Sequence, residues 1–249
     1  MSARIIAFGG LLLLSLGGPA WSQTVAPQTR GFVSVNGGYQ TTANNFRDGA
    51  IYRRNAEDGR FDTTYTVKAG PTFDVAGGGI VWRRLGIGVG VSRFTLATPT
   101  HLAGSIPHPF FFNLPRAVSA DVGGLKREEL AVHVQARAIV PAGQHVQVML
   151  FGGPSFFQVK QDVVTDFTYT DSYPYDEASF RSATSSTQTK SKIGFNAGGD
   201  FAFFFTRQVG VGAAVQFSGT TIPLTSAGGG AADVKVGGVQ AGGGLRLRF

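Results

Sequence analysis

The clearest regularity in the chain is an alternation of apolar and polar residues that begins near residue 30. Between residues 129 and 140, apolar side chains occupy every second position, while His133, Gln135 and Arg137 share the other face. Successive side chains of a β-strand point to opposite faces, so this period of two indicates strands. Helical periodicity is absent from the same stretch and from those like it. The sequence therefore predicts an all-β fold.

Eight segments carry this alternation and are the candidate strands: 32–41, 61–82, 85–96, 129–140, a run from 146, 192–205, 209–219 and 234–249. The connections between them differ in length. Those near 83–84, 141–144 and 206–208 are short, and those near 42–60, 97–127, 160–190 and 220–233 are long and polar. Outer-membrane barrels combine short periplasmic turns with long extracellular loops. We therefore expect an eight-stranded antiparallel up-and-down transmembrane β-barrel with both termini on the short-turn side.

The N-terminal segment has the layout of a secretory signal. Arg4 supplies a positive charge, residues 5–16 form a short apolar run, and residues 17–19 break it. Ala20 and Ser22 are small residues at the two positions that signal peptidase reads. An apolar run of about 12 residues is too short to span a bilayer as a helix. The expected organisation is a signal peptide over residues 1–22 and a barrel domain over residues 23–249.

Alternation alone leaves open which face of the barrel is buried. A soluble lipocalin-like barrel turns its apolar face inward, whereas a membrane barrel turns that face toward lipid. Charged residues interleaved with glycines suit a narrow lumen, and aromatic residues near strand ends suit the membrane interfaces. We expect the lipid-facing arrangement, with a polar lumen network that carries two excess positive charges and is made of Lys68, Asp74, His133, Gln135, Arg137, His145, Asp200, Arg246 and Arg248.

Composition removes several classes of function. The formal net charge is +7, but the basic residues are scattered and form no basic run, so a nucleic-acid partner is not expected. Cysteine is absent, which excludes disulfides and thiolate metal ligands. The glycine-rich stretches lie in strands without a following helix, so they do not indicate a nucleotide site. No cofactor and no metal are expected.

The end of the chain carries a family resemblance. Together with the eight alternating strands and the uneven connections, the terminal run Leu245-Arg246-Leu247-Arg248-Phe249 resembles the small outer-membrane β-barrel superfamily of Gram-negative bacteria typified by OmpA and OmpX. The resemblance implies outer-membrane lipid and the barrel-assembly machinery as partners. It also implies that Leu245, Leu247 and Phe249 form the signal that this machinery reads. The resemblance is architectural and covers residues 23–249, without a local motif that names a member.

Histidines are the first candidates for chemistry. His133 and His145 are placed on the polar face of adjacent strands, where they could meet as a metal site or a general base. Neither has a carboxylate nearby on its own strand, and no serine shows a nucleophile motif. Polar packing in the lumen is therefore the preferred interpretation of both residues.

Two of the long connections hold candidate binding residues. His101 and His108 lie in the second, beside the run Phe110-Phe111-Phe112, which could form a contact surface, dip into the outer leaflet or plug the barrel mouth. In the third, tyrosines 169, 173 and 175 lie among acidic residues that could hold a cation. The spacing of a calcium-binding loop is absent, which favours a solvated hairpin tip.

The leading functional hypothesis is a non-enzymatic outer-membrane barrel with a structural or surface-interaction role, contacting an extracellular ligand through its long connections. The alternative is a narrow pore for small solutes, which polar side chains filling the lumen would oppose. A third hypothesis, a lipid-modifying barrel enzyme, needs a nucleophile–base pair that the sequence does not reveal.

Overall fold

The computed structural model describes residues 30–41 and 44–249, and the predicted signal peptide lies outside these residues. Among the described residues, no helix is long and apolar enough to cross a membrane. The described elements are β1 (Gly31–Gln40), β2 (Asn44–Arg54), β3 (Glu57–Val67), β4 (Gly70–Trp82), β5 (Leu85–Ala97), β6 (Thr100–Ile106), β7 (Arg116–Val122), β8 (Lys126–Pro141), β9 (Val146–Asp171), β10 (Ala178–Phe204), β11 (Val209–Thr225) and β12 (Ala231–Arg248).

Eight of these strands close a barrel in the order β1-β12-β11-β10-β9-β8-β5-β4. Each neighbouring pair is antiparallel, and β1 pairs with both β12 and β4, which closes the ring. Closure satisfies the backbone groups of every strand and leaves no open edge, which is what a lipid environment requires. The predicted eight-stranded antiparallel up-and-down transmembrane barrel is confirmed.

The two faces of the barrel wall differ as a membrane barrel requires. Ser34, Asn36, Gln135 and Asn196 point inward and are buried. The intervening positions expose large apolar side chains to the outside, among them Phe73, Ile87, Val89, Val134, Leu150, Ile193, Phe195, Phe201 and Leu245. Such a continuous apolar belt would be unfavourable on a monomer in water, whereas lipid stabilises it. The barrel therefore has the lipid-facing orientation and not the inward-facing apolar lining of a soluble lipocalin-like barrel.

The short connections and the described ends of the chain lie at one end of the barrel. β4 and β5 are joined by Arg83 and Arg84, and β10 and β11 by residues 205–208. At the same end, the backbone N–H of Arg30 donates a hydrogen bond of 2.8 Å to the carbonyl of Phe249. This is the expected arrangement, with the described termini on the short-turn side.

The long connections are not irregular loops, which corrects the sequence-based expectation. The first two fold into a separate four-stranded sheet in the order β2-β3-β6-β7. The third is a continuation of the β9–β10 hairpin, which is paired from Val146–Phe203 to Asp171–Ala178. β9 and β8 part at Gln161, so the last ten residues of β9 rise beyond the barrel wall. We call the β2-β3-β6-β7 sheet and the hairpin extensions that pack on it the cap.

The predicted strand 61–82 crosses the boundary between the cap and the barrel. It divides into β3, which belongs to the cap, and β4, which belongs to the barrel. The alternation continues unchanged through the break: Tyr65 and Val67 are buried in the cap, whereas Phe73 and Val75 face outward from the barrel. Periodicity alone therefore could not locate the boundary.

The cap has its own hydrophobic core, which joins the sheet to the two hairpin extensions. Tyr65 is fully buried and its ring stacks on Phe46 at 4.4 Å between centroids, while Phe167 of β9 packs edge-on against Phe61. The Tyr65 hydroxyl accepts a 2.7 Å hydrogen bond from the backbone N–H of Val164, and burial raises the pKa of Tyr65 to about 12. The buried members of this core are Phe46, Phe61, Tyr65, Val67, Phe94, Leu102, Ile106, Val118, Leu125, Val163, Val164, Phe167, Leu224 and Val234.

We predict that the cap can be loosened without unfolding the barrel. Phe167→Ala removes a ring that is 7% exposed and packs against Phe61 and Tyr52. The cavity should destabilise the cap by about 3 kcal/mol or more. Proteolysis of the folded protein should cut the cap faster, while heat-modifiable mobility of the barrel on gels stays unchanged. Thr168→Ala, on the exposed side of the same strand, is the matched control. Unchanged protease resistance, or loss of the folded barrel, would contradict a separately packed cap.

Candidate functional site

The barrel interior near the short-turn end is built around two buried arginines. Nε of Arg246 donates hydrogen bonds of 3.1 and 2.9 Å to Oδ1 and Oδ2 of Asp200, and its terminal nitrogen also contacts that carboxylate. The Arg137 guanidinium lies between the rings of Phe32 and Phe151, at 4.3 and 5.3 Å from their centroids. Two of the nitrogens of Arg137 bond to Gln135 and to the sulfur of Met149.

Glycines face these arginines because the interior is too narrow for a second side chain. A Cβ atom at Gly88 would lie 2.8 Å from Nε of Arg137, and one at Gly212 would lie 2.9 Å from Nε of Arg246. Both distances are shorter than van der Waals contact. The glycines of the wall therefore have a packing role, and the arginines fill the volume that they leave.

A second polar layer surrounds His133 halfway along the barrel. Its ring nitrogens bond to the hydroxyls of Ser92 and Ser155 at 3.0 and 2.7 Å, and Nε2 also lies 3.2 Å from the amide nitrogen of Gln216. A cavity beside Asn36, Asp74, Gln216 and Gln240 has a volume of about 30 Å³. That volume suits one water molecule or two, and no larger solute.

The third layer closes the interior beneath the cap and was not among the predicted lumen residues. Arg127 is fully buried and donates to Glu129 at 2.6 Å, to Gln161 at 3.3 Å and to the carbonyl of Lys235 at 2.8 Å. Glu129 in turn accepts a 2.9 Å hydrogen bond from the backbone N–H of Gly237. Residues 127 and 129 continue the polar face of β8 with the same period of two. The predicted strand began at residue 129, so Arg127 lay outside it, whereas β8 begins at Lys126.

Two residues predicted for the lumen, Lys68 and His145, lie elsewhere, and Arg248 lies at the short-turn mouth of the barrel, with its guanidinium 3.9 Å from the ring centroid of the buried Phe204. Lys68 is exposed at the junction of β3 and β4, and His145 is exposed in the turn after β8, where its ring packs on Phe203. Arg248 is half-exposed at the short-turn end, where Nε donates to the carbonyl of Arg207 at 2.7 Å. A lysine without a partner is too costly to bury, and a histidine in a polar turn keeps its water. His133 and His145 therefore do not meet.

These placements correct the predicted charge excess. Among the described residues, the interior holds arginines and carboxylates in equal number: Arg127, Arg137 and Arg246 against Asp74, Glu129 and Asp200. Asp74 accepts a 3.0 Å hydrogen bond from Asn36. The lumen is thus close to neutral, and the anion preference that two extra positive charges would produce is not expected.

The Arg246–Asp200 pair gives a direct test of this interior. Asp200→Asn leaves a buried guanidinium without its counter-charge, which should destabilise the barrel by about 3–5 kcal/mol. The urea midpoint of unfolding, followed by gel mobility in detergent, should fall accordingly. Asp233→Asn, at an exposed carboxylate of β12, should leave the midpoint unchanged. An Asp200→Asn midpoint equal to that of the unchanged protein would remove the pair from the account of stability.

At the opposite end of the molecule, the tips of three hairpins meet. We call the residues 54–57, 107–115 and 172–177 the distal tip. Arg116 is buried beside it and holds the pieces together, donating to Asp171 at 2.5 Å, to the carbonyl of Tyr175 at 3.2 Å and to the carbonyl of Pro107 at 3.3 Å. The backbone N–H of Asn113 donates to Oε1 of Glu57 at 2.8 Å. The second and third long connections, considered separately in the sequence, therefore form one surface.

His108 organises the aromatic part of this surface. Its ring is buried, and Nδ1 accepts hydrogen bonds of 3.1 Å from the backbone N–H groups of both Phe110 and Phe111. The side chains that follow point into solvent: Phe110, Phe111 and Phe112 are 68%, 59% and 71% exposed. They do not plug the barrel mouth. The ten residues of β9 above the barrel wall correspond to roughly 33 Å along the strand, so the outer leaflet around the barrel is also out of reach.

The other candidates in the long connections are engaged within the protein. His101 is exposed, and its Nδ1 lies 2.8 Å from Oδ1 of Asp121. Asp171 pairs with Arg116, and Asp166 accepts a hydrogen bond from the backbone N–H of Phe167. Among residues 30–41 and 44–249, no three histidine or carboxylate side chains are grouped as a metal site would require. Beside the aromatic run lies an open polar groove of about 450 Å³, lined by Arg53, Glu57, Asp58, Ser105 and Asn113 among others.

Comparison with known proteins finds solved structures of low sequence identity to this chain. No protein-family model matches the chain, and no curated protein matches it. Among solved structures, it is similar to Ail, the attachment invasion locus protein of Yersinia pestis (14% identity, 88% of this chain and 99% of that chain, TM-score 0.35). Ail in complex with the heparin analogue sucrose octasulfate gives 13% identity, the same coverage and a TM-score of 0.36. Neisserial surface protein A gives 12% identity over 88% of this chain and 97% of that chain, with a TM-score of 0.37.

The architecture itself is that of the small eight-stranded outer-membrane β-barrels. It rests on the closed antiparallel ring and on the apolar belt around it. The resemblance expected from the sequence is therefore confirmed at the level of the fold.

Proposed function

We propose that the protein is a non-enzymatic outer-membrane anchor that displays the distal tip as a contact surface. The observation that carries this proposal is the division of the chain into a filled barrel and a packed cap that extends beyond it. The interior holds ion pairs and hydrogen-bonded side chains, whereas the cap has a core of its own and exposes aromatic residues at its far end.

The filled interior argues against the alternative of a solute pore. Arg127 and Glu129 close the interior beneath the cap, and Arg246 and Asp200 occupy it near the short turns. Solutes could pass only if buried ion pairs were broken, which is costly in a narrow, poorly hydrated space. About eight strands leave room for side chains or one small ligand, and here the side chains take that room.

The serine–histidine contacts in the interior do not support an enzyme. Ser92 and Ser155 both bond to His133, which resembles a nucleophile–base pair in distance alone. His133 is 0% exposed, so solvent does not reach it from either end of the barrel. Its second ring nitrogen bonds to a serine rather than to a carboxylate that would orient the ring. A catalytic serine needs a substrate path and a base that a third group orients. The cluster serves lumen packing instead.

The last strand supports the proposed route into the membrane. Leu245, Leu247 and Phe249 all face outward, with exposures of 58%, 43% and 69%. Their side chains therefore remain available to the barrel-assembly machinery and then to lipid. β12 also closes the ring against β1, so recognition of this strand would coincide with barrel closure.

Adhesion by displaying cells tests the proposed contact surface. We expect Gram-negative cells displaying the protein to adhere to cultured animal cells. Replacing residues 107–115 by a glycine–serine linker of equal length should reduce adhesion about tenfold or more, since it removes the exposed aromatic anchors. Thr168→Ala, on the side of the cap, should not alter adhesion, and surface labelling should show equal display. Adhesion that is absent, or unaffected by the linker, would contradict the proposal.

A further inference from the structure

We propose that the distal tip inserts its aromatic residues into the lipid bilayer of an apposed membrane. This inference rests on the proposed function and names the partner of the same surface. The inserting group consists of Phe110, Phe111, Phe112 and Leu114, with Tyr173 beside it. These side chains are between 51% and 87% exposed.

The shape and size of the group favour lipid over a folded protein. The four apolar side chains project from one turn between β6 and β7, and the groove beside them is polar. Their exposed area is roughly 500 Å², given about 200 Å² for a fully exposed aromatic side chain. A stable protein interface buries about 800 Å² on each partner. A small convex aromatic wedge is better matched to a fluid bilayer, which deforms around it, than to a rigid surface.

Three backbone N–H groups of the turn are already hydrogen-bonded within the protein. N–H groups that lack partners are costly to move into lipid. Here the N–H groups of Phe110 and Phe111 already donate to His108, and that of Asn113 donates to Glu57. The aromatic side chains can therefore leave water without stranding these three donors.

The surroundings of the wedge set the depth of insertion. Tyr173 and Tyr175 stand beside the phenylalanines, with the Tyr175 ring 5.4 Å from that of Phe110. Amphipathic aromatic side chains prefer the membrane–water interface. Glu57 accepts the hydrogen bond from Asn113, and Oδ1 of Asp176 lies 3.9 Å from Nε2 of His108. Burial of either carboxylate in hydrocarbon would be opposed. The arrangement predicts shallow insertion, with the phenylalanines below the headgroups and the tyrosines among them.

Co-flotation provides the first test. The full-length protein is embedded in nanodiscs and mixed with separate phosphatidylcholine vesicles. We expect the nanodiscs to float with the vesicles, and the combined change Phe110→Ser, Phe111→Ser and Phe112→Ser to reduce flotation about tenfold or more. Raised salt should leave flotation unchanged, because apolar insertion is not screened. Ile51→Ser removes an apolar side chain that is 73% exposed on the cap sheet and should have no effect.

A fluorescent variant keeps the test independent of the folding of the triple variant. Phe111→Trp places an indole at the tip, and the other tryptophan of the described residues, Trp82, lies at the short-turn end of β4. Brominated lipid in the target vesicles alone should quench Phe111→Trp and leave the unchanged protein unaffected. Absence of quenching, or flotation that survives the triple change, would overturn the lipid proposal.

The adhesion assay separates this failure from failure of the proposed function. Target cells stripped of surface proteins by protease should still support tip-dependent adhesion. If such adhesion occurs on intact cells but is lost from stripped cells, and vesicles do not bind, the partner is a protein and the lipid proposal is overturned while the contact surface stands. If no tip-dependent adhesion occurs on either, both proposals are overturned.

Discussion

The structure depends on the requirement that every backbone hydrogen bond in a lipid-facing wall be made within the protein. Closing eight antiparallel strands into a ring meets this requirement, and the pairing of β1 with β12 is the step that completes it. Closure also fixes where each side chain points. One face of every strand must be apolar for the lipid, so the polar side chains are confined to a narrow interior.

The narrowness of the interior determines its chemistry. Glycines at positions such as 88 and 212 leave the volume that the arginines occupy. An arginine in that space needs a counter-charge or hydrogen-bond acceptors, and Asp200, Gln135 and Glu129 supply them. The same side chains that balance the charge also fill the lumen. Charge balance and filling of the barrel interior therefore have one physical origin.

Beyond the membrane the constraint is different, and the chain responds by building a second core. Water can satisfy the backbone of the cap, so its stability comes from burying apolar side chains such as Phe46, Tyr65 and Phe167 between the sheet and the β9–β10 ribbon. Arg116 then joins the hairpin tips, and His108 orders the aromatic turn. The exposed phenylalanines remain where neither core can bury them.

The sequence was sufficient for the barrel because a period of two reports directly on its wall. The same period cannot distinguish a strand that faces lipid from one that faces the cap core, so it predicts a single strand over residues 61–82. The long connections looked polar because Ser, Thr and Gly fill the exposed positions of the cap, while its apolar positions come together only across four strands. Arg127 and Glu129 were missed at a strand boundary. Lys68 and His145 have the correct polarity for the lumen but lie past the ends of the barrel strands, which only the register reveals.

The account of the barrel and the proposed function both depend on an interior that is closed by paired side chains. Recording current across planar bilayers that contain the purified full-length protein tests it most directly. A general porin measured in the same bilayers shows that insertion and detection work. The account predicts no steady open level, with only rare and brief events. Stable channels of large and uniform conductance would contradict it and would support a pore.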